Sequence, residues 1–251
     1  ITTWKRCNTA PTPISSSATS SGKTTAAGWL LTTIPDSKRI FTIENGSREL
    51  ELVREENGKV VNSVVHTLTR DSENERQRID QIALVDICLR FNPDILVVGE
   101  MRGAEANAAQ EAARVGVAVL TTIHSNSCEA TYRRMVSLCK RAVDMSDETL
   151  LSYVTEAYPI VVFCKQLENK QRRMMEIMEC EILPNGDRRY NTLFRYVITE
   201  NHMENDKFII EGHHAQINEI SASLRKRLLE NGMPNEELQA LLNPEKEVNV
   251  T

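Results

Sequence analysis

Two short apolar runs, Ile95-Leu96-Val97-Val98 and Val117-Ala118-Val119-Leu120-Thr121-Thr122, constrain the fold of this chain most. Neither run alternates between polar and apolar residues, as a strand with one wet face does. An uninterrupted β-branched and leucine run suits a central parallel strand buried on both faces. Helical segments separate and flank the runs. Ile79, Ile82, Ala83 and Ile87 have helical spacing before the first, residues 104–114 are alanine-rich between the two, and residues 128–140 and 148–156 follow. Arg39 to Ile43 adds a shorter strand that ends on Glu44. Such alternation predicts an α/β fold with a mainly parallel sheet covered by helices on both faces. Ligands bind such sheets at the carboxyl ends of the strands.

The remaining elements fit around that core. From Leu50 to Arg70 the apolar residues alternate weakly about Asn57-Gly58, a pair suited to a tight turn, so two exposed strands are expected. Past Tyr158 the texture changes. Residues 160–163, 173–182 and 190–198 resemble strands joined by turns at Glu168-Asn169 and Asn185-Gly186, hence antiparallel additions. Ile217, Ile220, Leu224 and Leu228 mark an amphipathic helix over 214–230, and Pro234 begins a last short one. The expected division is a lead-in over 1–14, whose last part is a strand, a core domain over 15–205, and a C-terminal helical appendage over 206–251.

The 251 residues carry a net charge of -5 with both signs interleaved, and aromatic residues form only 5% of the chain. Neither feature suits a surface that neutralises a phosphate backbone or stacks bases, so direct nucleic-acid binding is not expected. No apolar run reaches membrane-spanning length and the start lacks a signal-peptide pattern, so the expected location is the cytoplasm, with peripheral docking on a membrane left open. The cysteines show no C-x-x-C spacing; Cys88, Cys128, Cys139 and Cys164 sit among apolar residues as small buried hydrophobes, and no structural zinc is expected.

Ser17-Ala18-Thr19-Ser20-Ser21-Gly22-Lys23-Thr24 matches the phosphate-loop pattern G-x-x-x-x-G-K-[ST] except at its first glycine, which is Ser17. In such a loop backbone N–H groups surround the phosphates, the lysine reaches the outer ones, and the hydroxyl binds magnesium. A helix expected from Thr24 to Leu31 would aim its N-terminal dipole at the same place. A serine at position 17 requires dihedrals there that are not reserved for glycine. The bland alternative is a serine-rich linker with a chance Gly-Lys-Thr.

The strand over 95–98 runs into Gly99-Glu100-Met101-Arg102-Gly103. An acid at a strand end beside a phosphate loop can orient the attacking water or hold magnesium through water; otherwise Glu100 is an ordinary exposed acid. Arg102 either stabilises transferring phosphate charge or faces a neighbouring subunit, or it pairs with a nearby acid such as Glu105.

Four segments now stand in order: Ala18 to Thr25, Thr42-Ile43-Glu44, Phe91 to Glu105, and Leu120 to Ser127. Together they resemble the type II and type IV secretion ATPase superfamily, closest to the branch serving type IV secretion, conjugation and tight-adherence (Flp) pilus assembly. The likeness is firm over about 15–140 and looser to about 200. It implies a RecA-like P-loop NTPase core that assembles into hexamers, binds ATP and Mg²⁺ between subunits, and drives a machine whose other components lie in the inner membrane. On that likeness Ala18, Thr19, Ser20, Ser21, Gly22, Lys23, Thr24 and Thr25 form the nucleotide cradle, with Thr24 on the metal. Glu44 belongs to the acidic box, Glu100 is the main catalytic acid, and His124 senses the terminal phosphate. Arg70 matches an arginine that reaches the nucleotide or a neighbour, with Arg54, Arg76 and Arg78 as weaker candidates and Arg102 as a further catalytic cation.

Departures from the family wording are Ser17 and Ser20 for glycines, Asn45 where aspartate is common, and Val117 where histidine is frequent. Family members carry an N-terminal domain before the motor, nearly all of which is expected to be missing here. Two other readings remain: a RecA-like motor acting on nucleic acid, and a nucleotide-binding scaffold with little hydrolysis.

Overall fold

A computed structural model describes the backbone of residues 13–17 and the whole of residues 21–242. Eleven strands and seven α-helices follow one another over that span. The strands are β1 (Pro13–Ser17), β2 (Arg39–Glu44), β3 (Glu55–Glu56), β4 (Lys59–Val60), β5 (Ser63–Leu68), β6 (Ile95–Val98), β7 (Ala118–His124), β8 (Ile160–Gln166), β9 (Arg172–Ile182), β10 (Arg188–Glu204) and β11 (Lys207–Gln216). The helices are α1 (Lys23–Thr32), α2 (Gln81–Arg90), α3 (Glu105–Arg114), α4 (Cys128–Cys139), α5 (Asp147–Ala157), α6 (Ala222–Glu230) and α7 (Asn235–Leu242).

Nine strands form one sheet in the order β11-β10-β9-β8-β1-β7-β6-β2-β5. From β8 to β5 every neighbouring pair is parallel, and from β8 outward to β11 every pair is antiparallel. The two apolar runs are adjacent central strands, with Ile95 opposite Ala118 and Val98 opposite Thr121.

The alternation of side chains along each strand sorts the core into layers. Phe41, Ile43, Leu96, Val98, Val119 and Ile123 pack on one face with residues of α2, α3, α4 and α5. Ile40, Ile95, Val97 and Leu120 face the other way, onto Ala27 and Leu31 of α1 and the loop residues Leu50 and Leu52. A third cluster joins Ile160 and Leu193 to α6 and α7 through Leu224, Leu228 and Leu238.

Four expectations need correction. The two exposed strands expected in the Leu50–Arg70 segment are present but occupy little of it. Asn57-Gly58, both at positive φ (52° and 73°), does make a turn, but only the two-residue β3 and β4 flank it. The third strand of the segment, β5, extends the main sheet in parallel with β2 instead, setting Thr42 opposite His66. β8 is likewise not an antiparallel addition throughout, because it pairs in parallel with β1 before it turns back into β9. The helix expected from Ile79, Ile82 and Ile87 is α2, which starts only at Gln81, and those three isoleucines are exposed; Gln81, Leu84, Val85 and Cys88 face the core. Finally, residues 207–216 form a strand, so the helix expected over 214–230 starts only at Ala222, and Ile217 is exposed.

The start of α6 is fixed by an unusual cap. Ser221 Oγ accepts from the Leu224 N–H at 3.0 Å, while the serine donates its hydroxyl and its N–H (2.9 Å) to the two oxygens of Glu179 on β9. Glu179 is 1% exposed. Ser221→Ala therefore removes both an N-cap and a donor to a buried carboxylate. The expected destabilisation is about 2.5–4 kcal/mol, from about 1 for the cap and about 1.5–3 for a hydrogen bond to a charged group. Urea unfolding checks it: a shift below about 0.5 kcal/mol, the range of ordinary surface substitutions, would mean that the serine carries neither role.

Cys88, Cys128, Cys139 and Cys164 are buried free thiols, as is Cys180; Cys7 lies outside the described residues. Burial pushes the thiols of Cys88, Cys139 and Cys180 up to about 12, which suits inert core positions.

Candidate nucleotide site

Because β1, β2, β6 and β7 are parallel, their carboxyl ends share one rim, and the segments that follow them meet there. A cavity of about 440 Å³ opens at that rim. Its lining includes Ser21, Gly22, Lys23, Thr24 and Thr25 from the loop and α1, Glu44 at the end of β2 with Asn45 after it, and Glu100 and Arg102 after β6. His124 at the end of β7 and Arg172 at the start of β9 complete this group.

Gly22 precedes α1 with φ +88°, a left-handed conformation that favours glycine. The helix then begins at Lys23, with its first-turn N–H groups lacking intrahelical acceptors at the end that borders the cavity. Ser21 and Lys23 are buried and Thr24 is half-buried. Ala18, Thr19 and Ser20, the first part of the expected cradle, lie outside the described residues.

Lys23 Nζ approaches His124 Nδ1 at 3.4 Å, and His124 Nε2 lies 2.9 Å from Glu100 Oε1. Desolvation lowers the Lys23 pKa, and the Glu100 charge partly opposes that shift. Around Glu100 the balance is reversed. Burial works against its ionisation, but Arg102, His124 and Lys23 together outweigh it and hold the carboxyl below its ordinary value.

Backbone contacts fix where the acid sits. The Gly99 N–H donates to Ile43 O at 2.8 Å, and a Cβ on Gly99 would meet that oxygen at 3.3 Å and Glu44 Cγ at 3.4 Å. A side chain there would push the ends of β2 and β6 apart. Thr122 Oγ1 donates to Gly99 O at 2.6 Å, and Gln81 of α2 donates to Glu100 O at 3.1 Å.

Glu44 is 4% exposed. Its Oε2 accepts from the N–H groups of Glu49 (2.7 Å) and Leu50 (3.0 Å), so part of its work is to fold the following loop. Its Oε1 lies 3.9 Å from His66 Nδ1, which instead contacts Thr42 Oγ1 at 2.8 Å. Burial lowers the His66 pKa, with Arg48 adding to the shift, so the ring is neutral near pH 7 and gives Glu44 no full positive charge. Glu44 Oε1 and Glu100 Oε1 are both buried without an aligned hydrogen-bond donor among the described residues. For Glu100 the His124 nitrogen is thus close without making a well-directed bond. Two acceptor oxygens at one cavity suit a ligand that brings its own donors, such as metal-bound or attacking water.

Arg102 pairs with a nearby acid, but with Glu100 rather than Glu105. Its guanidinium pairs with Glu100 at 2.6 Å, whereas Glu105 accepts from the N–H groups of Arg102 (2.6 Å) and Gly103 (2.7 Å). Arg70 is not brought into the cavity; it is exposed beyond β5 and donates from Nε to Gln77 O at 2.6 Å. Arg54 binds Ile34 O (2.7 Å) and Asp36, and so braces the loop after α1. Arg172 and His66 carry no motif in the sequence. Only the β8–β9 turn and the β2–β5 pairing bring them near the site.

The left-handed turn at Gly22 that opens α1 on Lys23, the parallel sheet and the acid at the neighbouring strand end define a RecA-like P-loop domain. The type II/IV secretion system protein family matches residues 12–247, and the chain belongs to it. Among curated relatives, the type IV secretion system protein VirB11 of Bartonella quintana is 28% identical over 61% of this chain and 42% of its own length. The conjugal transfer protein TrbB of Rhizobium radiobacter is 29% identical over 66% of this chain and 47% of its own. This chain therefore spans less than half the length of these relatives. The crystal structure of the VirB11 ATPase from the Brucella suis type IV secretion system, in complex with sulphate, shares the fold with a TM-score of 0.57 and 24% identity, over 70% of this chain and 50% of that one.

Proposed function

We propose that this chain is the ATP-hydrolysing motor domain of a secretion, conjugation or pilus-assembly machine. The convergence of Lys23, Thr24, Glu100 and His124 on one cavity at the carboxyl rim of the sheet carries this reading. Lys23 neutralises the outer phosphates, with the open N-terminus of α1 beneath them. Glu100 positions and deprotonates the attacking water, Glu44 extends the water network, and His124 links the terminal phosphate to Glu100.

Mg²⁺ fits the residues present. Thr24 offers a hydroxyl beside the loop lysine, and Glu44 and Glu100 offer unfilled oxygens. Among the described residues no group of three or more acidic, histidine or cysteine side chains could hold a metal alone. That agrees with an ion held by phosphate oxygens, Thr24 and water, which is how Mg²⁺ commonly binds. Bound there, Mg²⁺ would neutralise charge on the phosphates.

The working assembly in this proposal is a hexamer on the cytoplasmic face of the inner membrane, docked on membrane components. No helix among the described residues is long and apolar enough to cross a membrane. Arg70, outside its own cavity on the β5 side of the sheet, then acts on the nucleotide of a neighbour. Phosphate release from ATP should require Mg²⁺, and sedimentation of the full-length subunit with ATP should show six copies. Failure of the chain to bind ATP would refute the motor; a full-length subunit that stays monomeric with ATP would refute the hexamer.

A further inference from the structure

Arg172 is a cation of the cavity that no motif announces. It opens β9, opposite Gln166 at the end of β8. Since β8 runs parallel to β1, the end of β8 lies on the same rim as the phosphate loop, but on the other side of β1 from β7 and β6. Glu100 and His124 therefore stand on one flank of the loop and Arg172 on the opposite flank. The Arg172 stem also reaches Gly22, since its Cδ lies 3.2 Å from the position a Cβ on that glycine would take.

A nucleoside triphosphate has a direction. If its terminal phosphate lies with Lys23 and Glu100, as the motor reading requires, its nucleoside end leaves that flank. On these grounds we propose that Arg172 holds the ribose and base end of the nucleotide, across the phosphate loop from Glu100, and so sets affinity rather than rate. The guanidinium plane is suited to this task, since it stacks on aromatic faces and carries a charge that is weakly hydrated. Contacts to the part of a substrate that does not change during reaction bind ground state and transition state alike. They lower KM without raising kcat. The proposal rests on the nucleotide-site reading.

Calorimetric titration and steady-state turnover of the wild type, Arg172→Ala and Arg172→Lys test it, with ATP and inorganic tripolyphosphate as ligands. Arg172 is exposed, so the alanine variant should fold, and Arg172→Lys keeps the charge while removing the plane. The expected result is about a tenfold loss of ATP affinity in Arg172→Ala, the order of a desolvated cation–π contact. KM should rise to match, with kcat within about twofold, and tripolyphosphate affinity should stay unchanged. Arg172→Lys should recover only part of the loss. Equal weakening of ATP and tripolyphosphate would overturn the assignment in favour of a phosphate contact. A fall in kcat at constant KM, or no change with either ligand, would overturn it as well. A wild type that binds neither ligand would refute the nucleotide site itself, whereas normal wild-type binding with an unaltered Arg172→Ala would refute only the role of Arg172.

Discussion

Lys23→Ala is expected to remove ATP binding at concentrations that saturate the wild type while leaving the fold intact. Two charge-assisted hydrogen bonds to phosphate oxygens, at about 1.5–3 kcal/mol each, correspond to a loss of about 10² to 10⁴ in affinity. The fold should survive because Lys23 is a liability without a ligand. It is 8% exposed, and desolvation lowers its pKa in the folded chain. The unfolded chain therefore holds that proton more tightly, so the lysine disfavours folding below its folded pKa, and the penalty fades as pH rises from there toward the ordinary value of 10.5. Alanine removes this penalty, and the variant should unfold at an equal or higher midpoint. Nucleotide should separate the two proteins. At 100 times its Kd, ATP should stabilise the wild type by about 2.7 kcal/mol and the variant hardly at all. A variant that ATP stabilises as strongly as the wild type would remove Lys23 from the phosphate site.

The parts of this molecule that were legible in the sequence are those in which one short segment carries both its structure and its chemistry. The runs 95–98 and 117–122 are the buried strands their apolar composition suggests, and the helix expected from Thr24 starts one residue earlier, at Lys23, after a left-handed Gly22. Where a segment borrowed its environment from distant chain, the pattern misled. Ile79, Ile82 and Ile87 look like a core stripe, yet the polar Gln81 is the residue turned inward, because Glu100 O needs its amide. β5 alternates no more strongly than an exposed hairpin strand, and only its pairing with β2 makes it part of the sheet. The same distinction divides the site. Glu44, Glu100 and His124 follow strands whose ends are set by local sequence, and the parallel sheet gathers them. Arg172 and His66 arrive through turns and register, which single-chain periodicity does not encode. Arg70 shows the converse: its local wording suggested a catalytic role, but its position beyond β5 keeps it out of the cavity of its own chain.

Glu100→Gln is expected to bind ATP about as tightly as the wild type and to hydrolyse it about 10² to 10⁴ times more slowly, the range contributed by a positioned general base. The amide is nearly isosteric and can still accept from Arg102, so the cavity should keep its shape. It cannot take a proton from water. The ion pair with Arg102 adds a second consequence. Arg102, His124 and Lys23 hold the Glu100 carboxyl below its ordinary value of 4.5, so it is ionised across the whole neutral range. The wild-type rate should therefore show no acid limb from Glu100 above about pH 5, since a base is lost only near its own pKa. Folding should respond in the same direction. A carboxylate with a depressed folded pKa contributes stability above its unfolded value, and that contribution disappears as pH falls through the folded value. Glu100→Gln should lack this acid dependence, while a wild type and variant with matching unfolding midpoints from pH 3 to 7 would show that the neighbouring groups do not stabilise the charge. Single-turnover measurements with bound ATP isolate the chemical step from binding. Equal phosphate release by the two proteins would take the role of base away from Glu100 and leave Glu44, whose Oε1 is also buried without an aligned donor among the described residues, as the acid next to the site.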